Sequence, residues 1–232
     1  MSEAAGQPYS MSDAVRERVL RRQGRLHAHE TIPAPRTALV VVDMQNYFCA
    51  PGYPAEVAAS RATVPAINRM ARALRAAGGR VAWVQTSSRE ALGRWPRHHR
   101  HMLTAARVDS RLAGLAEDAP GFRLFDGLQA DSDDLFANKV MYSAFVSGSS
   151  DLHARLQALG IESLLVAGTA TNVCCESTAR DAMMLDYRVV MLSDGNSAFT
   201  AAEHTTSLDN FALFFGDVMT VDEALARLRA QD

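Results

Sequence analysis

A cysteine placed where a strand hands over to a helix can act as a nucleophile, and Cys174 stands in such a place. The stretch Gly168-Thr-Ala-Thr171-Asn-Val-Cys174-Cys175-Glu176-Ser-Thr178-Ala-Arg180-Asp-Ala182 joins an apolar run to a helix expected to begin around Asn172. In the first helical turn, unpaired N–H groups and the positive end of the dipole favour a thiolate. They are expected to draw the thiol pKa from about 8.5 toward neutrality. The same N–H groups can hold the oxyanion of a tetrahedral intermediate. Packing is the other reading, because a free cysteine often serves as a small buried hydrophobe. Cys175, turned about 100° round the helix, is expected to pack. Cys49, on the loop after the first strand, has no helix terminus to activate it and reads as a bystander.

An acyl-transfer cysteine also needs a proton acceptor. The seven histidines lie outside the expected strand ends. His98, His99 and His101 follow Trp95-Pro96 on an expected loop, and their spacing matches no standard metal site. Asp43 and Lys139 instead close apolar strand runs, where a lone charge would be unfavourable. A shared cluster of carboxylate, ammonium and thiol lets each compensate the others, with Asp43 as general base and Lys139 as electrostatic partner. A purely structural Asp–Lys ion pair would satisfy the same two residues.

These side chains need a scaffold. Thr37 to Asp43, Arg80 to Gln85, Leu135 to Lys139, Ser163 to Gly168, Arg188 to Ser193 and a short segment near Val218 read as strands, most of them buried on both faces. Helices are expected over Ala58 to Ala77, His99 to Val108, Ser149 to Leu159, Asn172 to Leu185, Ala201 to Phe214 and Val221 to Arg229. The alternation implies an α/β, doubly wound parallel sheet of about six strands with helices on both faces. Asp43, Gln85, Lys139 and Gly168 then share the carboxyl edge of the sheet, where such folds place their sites. Between Thr86 and Asp134 the pattern suits loops over that edge.

Length allows one large domain, here 35–232, after an N-terminal extension, 1–34, with an Arg-bearing helix expected to lie on the surface as an oligomer-packing arm. A formal net charge of -2 and 22% charged residues give no field that favours nucleic acid or an anionic membrane. No apolar run reaches the length of a membrane span, and no leader peptide is expected. Three cysteines, two of them adjacent, argue against a disulfide framework and for a reducing, cytoplasmic setting.

Three ordered segments resemble the isochorismatase-like cysteine hydrolase superfamily: Val42-Asp43-Met44-Gln45, Lys139-Val-Met-Tyr142-Ser143-Ala144-Phe145, and Gly168-Thr-Ala-Thr171-Asn-Val-Cys174 with Thr178-Ala-Arg180-Asp-Ala182. The resemblance runs from about Thr37 to the C-terminus. It implies a Rossmann-like three-layer sandwich, the triad Asp43, Lys139 and Cys174, and a non-proline cis peptide joining Thr169 to Ala170. It also implies an oxyanion hole from the Ala170 and Cys174 N–H groups.

Within the superfamily, Ala170-Thr-Asn-Val-Cys174 and Lys139-Val-Met-Tyr142-Ser143 are most similar to ureidoacrylate amidohydrolases, with Tyr142 as a substrate contact. Where that group tends to carry asparagine and tryptophan, this chain has Thr86-Ser87-Ser88. The metal-binding Asp and His of nicotinamidases have no counterpart in Tyr47 to Pro54 or Thr86 to Trp95. Cleavage of a small linear amide, ureido or carbamoyl compound through a thioester is therefore expected, with no cofactor and no metal. Gln45, Gln85, Tyr142 and Thr169 are candidate substrate contacts, with sheet-edge hydrogen bonding the equal alternative for the glutamines and packing for the tyrosine. Ser87, Ser88 and Arg89, with Arg94, Arg97 and Arg100 beyond, hint at an anionic substrate, and a solvated loop face explains those arginines equally well. A homo-oligomer, dimer or tetramer, is expected. The alternatives are an isochorismatase-type or nicotinamidase-type hydrolase and a non-catalytic scaffold that retains the fold.

Overall fold

Six short strands pair side by side, all parallel, in a computed structural model that describes residues 6–230. In chain order the main elements are α1 (Asp13–Gln23), β1 (Thr37–Val42), α2 (Val64–Ala76), β2 (Arg80–Thr86), α3 (Pro96–His101), α4 (Ala105–Gly114) and β3 (Leu135–Lys139). There follow α5 (Leu152–Ala158), β4 (Ser163–Thr169), α6 (Glu176–Met184), β5 (Arg188–Ser197), α7 (Ala201–Phe214), β6 (Asp217–Met219) and α8 (Val221–Arg227).

The spatial order is β3-β2-β1-β4-β5-β6. Every residue of β1 is buried. Ala38, Val40 and Val42 pack with α5, α6, α7 and Val19 of α1, whereas Leu39 and Val41 pack with α2 and α8. Burial on both faces is the reason this strand reads as an unbroken apolar run. The result is a three-layer α/β fold. Thr200 with Glu203 and Thr220 with Glu223 form reciprocal caps that start α7 and α8.

From β1 the chain builds outward through β2 to β3, then crosses back to lay β4 on the other side of β1. The loops leaving β1 and β4 therefore diverge and open a crevice at the carboxyl edge, the switch point where ligands bind in such sheets.

Several expected boundaries change. The single helix expected over His99 to Val108 is two, α3 and α4, because Thr104 accepts a hydrogen bond from the Arg107 N–H and caps a new start. His98, His99 and His101 thus lie on a helix and not on a loop. The helix expected from Asn172 opens as a π-turn, Thr171–Cys175, before α6. The N-terminal residues pack on their own chain. Val19 is buried, Gln7 exchanges two hydrogen bonds with the Ala198 backbone, Tyr9 donates to Asp209, and Ile32–Pro33 pairs with Leu228–Arg229. Among the described residues no helix is long and apolar enough to cross a membrane.

Candidate active site

Asp43 leaves β1 with a left-handed backbone (φ 54°), uncommon outside glycine and better tolerated by aspartate than by most residues. Its side chain is fully buried, as is that of Lys139 at the end of β3. A single strand, β2, lies between β1 and β3, and the register sets its Thr86 opposite Lys139. The Thr86 hydroxyl donates to Asp43 Oδ1 (2.8 Å). Lys139 Nζ donates to Asp43 Oδ2 (2.9 Å), Thr86 Oγ1 (2.7 Å) and the Met141 carbonyl (3.1 Å). All three ammonium protons are therefore used. Burial draws the Lys139 pKa down most, but the charge and hydrogen bond of Asp43 together with the charge of Cys174 outweigh it and hold the group above its ordinary value.

Cys174 arrives from the far side of β1. Gly168 ends the regular part of β4 at φ 124°, and a Cβ there would stand 2.0 Å from the Val42 carbonyl oxygen, so only glycine lets β4 lie this close to β1. The Thr169–Ala170 peptide bond is cis. The π-turn that follows is braced by α7. Thr171 Oγ1 lies 2.8 Å from Nδ1 of the buried His204, and Ser207 donates to Glu176 at 2.6 Å. Cys175 is buried in the apolar core beside α6, and Cys49 is buried on the opposite face.

The expected low thiol pKa is not what the surroundings of Cys174 produce. Burial first, and then the negative charge of Asp43, push the thiol up to about 12, against the opposing pull of Lys139 and Arg111. A protein interior penalises the thiolate more than one helix start favours it. Cys174 is thus a thiol at neutral pH, beside a carboxylate able to take its proton.

A cavity of about 170 Å³ opens over these groups, lined by Asp43, Phe48, Ala55, Val57, Arg111, Tyr142, Thr169, Ala170, Val173, Cys174 and Phe199. Tyr142 and Thr169 stand on it as the sequence suggests. The Tyr142 ring is held edge-on by Trp95 (4.8 Å) and by His98 (5.4 Å), and His98 stacks on Trp95 at 3.9 Å. His98 of α3, stacked on Trp95, thus backs the Tyr142 ring.

Gln45 and Gln85 do not reach the cavity. Gln45 gives its amide to the carbonyls of Thr86 and Phe122 and accepts from the Thr86 N–H, and Gln85 donates to the same Phe122 carbonyl. Both amides tie the 115–125 segment to the sheet edge, so sheet-edge bonding replaces the expected substrate contact. Arg89 pairs with Glu117, Arg94 with Glu90, and Arg97 and Arg100 are exposed; none lines the cavity. Ser87 bonds Glu117. Sequence reasoning missed Thr86, Arg111 and the apolar walls Phe48, Val57 and Phe199.

A buried thiol and carboxylate on a small cavity, with an ammonium paired to the carboxylate behind it, supply the parts for covalent acyl transfer. Comparison with known proteins agrees in kind. The chain is 37% identical over 205 residues to the ureidoacrylate amidohydrolase RutB of Stutzerimonas stutzeri (strain A1501), covering 82% of this chain and 81% of that protein. It is 35% identical over 206 residues to the RutB of Variovorax paradoxus (strain S110), covering 82% and 80%. Among solved structures, a cysteine hydrolase from Pseudomonas syringae pv. phaseolicola 1448A superposes with a TM-score of 0.76 at 32% identity, over 84% of this chain and 93% of that one. The Isochorismatase domain matches residues 37–223, and the chain belongs to that family.

Proposed function

We propose that the protein is a cysteine amidohydrolase that opens the C–N bond of a small ureido compound of the ureidoacrylate type. The observation that carries this reading is a small cavity that Asp43 and Cys174 both line, with Lys139 buried behind it and bonded to Asp43 directly and through Thr86. The likeness to ureidoacrylate amidohydrolases supports the substrate class. At the coarser level the chain is a hydrolase of carbon–nitrogen bonds other than peptide bonds.

In the proposed mechanism Cys174 attacks the ureido carbonyl carbon while Asp43 takes the thiol proton, as a thiol with a pKa near 12 requires. Lys139 stays paired with the other carboxylate oxygen of Asp43. The Ala170 and Cys174 N–H groups hold the oxyanion. The C–N bond then breaks as Asp43 returns the proton to the departing nitrogen, leaving a carbonyl bonded to sulfur. Water attacks this thioester, which is a thiocarbamate for a ureido substrate. Asp43 takes a proton from the water, the C–S bond breaks, and the thiol reforms. The reading places a homo-oligomer in a reducing, cytoplasmic setting, supported by three free buried cysteines and by exposed Phe136, Phe199 and Phe214.

Replacing Cys174 by Ala or Ser, with the fold checked by circular dichroism, tests the reading. Ammonia release from ureidoacrylate and related carbamoyl compounds is expected to fall by at least about a thousandfold. A variant that hydrolyses every substrate of the native protein at full rate would sink the mechanism.

A further inference from the structure

Arg111, near the C-terminal end of α4, is the one arginine or lysine among the residues lining the Cys174 cavity. Other arginines of this region are engaged or solvated. Arg89 and Arg94 pair with glutamates, Arg107 donates to the Pro54 carbonyl, and Arg97 and Arg100 stand in water. Arg111 is half-buried, and among the described residues its guanidinium has neither an ion pair nor a hydrogen bond. Such a group keeps its charge and presents five N–H donors in a planar fork. Half-buried on the cavity wall, it is placed to meet an acceptor that a ligand brings.

The rest of the cavity wall sharpens the match. Phe48, Val57, Val173 and Phe199 are apolar, so a charge pair formed here is less screened than one on the surface. The positive charge is also felt at the chemistry, where it draws the Cys174 thiol pKa down against the effect of burial. An opening of about 170 Å³ is of a size to admit a short chain.

We propose that Arg111 is the specificity-determining residue of this cavity, binding a carboxylate carried by the substrate at the end away from the scissile carbonyl. The cavity then selects short ureido acids over neutral ureas of the same length. This rests on the amidohydrolase reading and adds to it the residue that recognises the acid. A bidentate Arg–carboxylate pair fixes orientation as well as position, so the ureido carbonyl is presented to Cys174 in one direction.

The test compares ureidoacrylate with 1-propenylurea, in which a methyl group replaces the carboxylate. In Arg111→Met the ratio of kcat/KM for the acid to that for the neutral urea is expected to fall roughly 10- to 150-fold, mostly through KM. Arg111→Lys should retain part of the preference, because an ammonium supplies charge without the fork. A role confined to the last turn of α4, where a cation complements the helix dipole, would lower both substrates together and leave the ratio unchanged. That result overturns the proposal. Calorimetric binding of both compounds to Cys174→Ala, with and without Arg111→Met, separates this inference from the chemistry. Arg111-dependent preference for the acid in this binding, with no hydrolysis of either compound by the native protein, keeps the inference and removes the amidohydrolase reading. Hydrolysis of both compounds with no dependence of the ratio on Arg111 does the reverse.

Discussion

A single hydroxyl joins the two buried charges of the site. Thr86 Oγ1 donates to Asp43 and accepts from Lys139, so its loss leaves an acceptor and a donor short of a partner in an interior without water to replace it. Thr86→Val, nearly the same in shape, is expected to lower stability by about 1–3 kcal/mol and to reduce kcat, with Thr86→Ser restoring most of both. Urea titration and steady-state kinetics check this. Cys174 carries a second expectation. With its pKa near 12, iodoacetamide labelling of the free enzyme should climb steadily above neutral pH without a plateau. Asp43→Asn removes a charge that raises this pKa and should move the labelling profile to lower pH. A plateau near neutrality in the native protein would contradict the geometry. Asp43 and Lys139 stood out in the sequence because charges that end apolar runs need an explanation, and Cys174 because it follows a strand at a helix start. Thr86 was not, since threonine at a strand end is an ordinary β-former. Arg111 was hidden among many arginines, and the amides of Gln45 and Gln85 serve backbone or substrate equally well on paper.

Between residue and fold stands the turn that carries the thiol, and α7 supports it through His204. Burial lowers the His204 pKa to about 4 from an ordinary 6.5, and Nδ1 meets the Thr171 hydroxyl. The unfolded chain takes up this proton as pH falls through 6.5, whereas the folded chain resists until about 4. Stability from this group is therefore whole above 6.5 and declines across that window, by about 1.4 kcal/mol for each pH step and roughly 3 kcal/mol in all. His204→Gln, which keeps a polar partner for Thr171 without titrating, should flatten that part of the acid limb in urea titrations run from neutral pH downward. An unchanged slope would remove His204 as its source. Periodicity gave the helices on either side of this turn but could not give the π-turn, which depends on how β4 ends against β1. The break between α3 and α4 escaped for a related reason. Met102 and Leu103 continue an apolar pattern, and only the Thr104 cap interrupts it.

Over the whole molecule, the return of the chain from β3 to β4 sets the loop after β4 beside the loop after β1 and so brings thiol and carboxylate to one crevice. Parallel strands and flanking helices were legible from alternating buried runs, whereas the first 34 residues were not. Their polar, arginine-bearing helix gives little sign that Val19 is buried or that Gln7 grips Ala198 on both backbone groups, next to the cavity residue Phe199. Gln7→Ala is expected to lower stability by about 1 kcal/mol and to raise KM more than it lowers kcat, as measured by steady-state kinetics. The central claim is that Cys174 bonds to the substrate carbonyl, and rapid-quench mass spectrometry of the native protein turning over ureidoacrylate tests it most directly. The account predicts a transient adduct equal in mass to the acyl fragment, mapped to the peptide that holds Cys174 and absent in Cys174→Ala. Hydrolysis that proceeds at the same rate in Cys174→Ala, with no adduct in either protein, would contradict it.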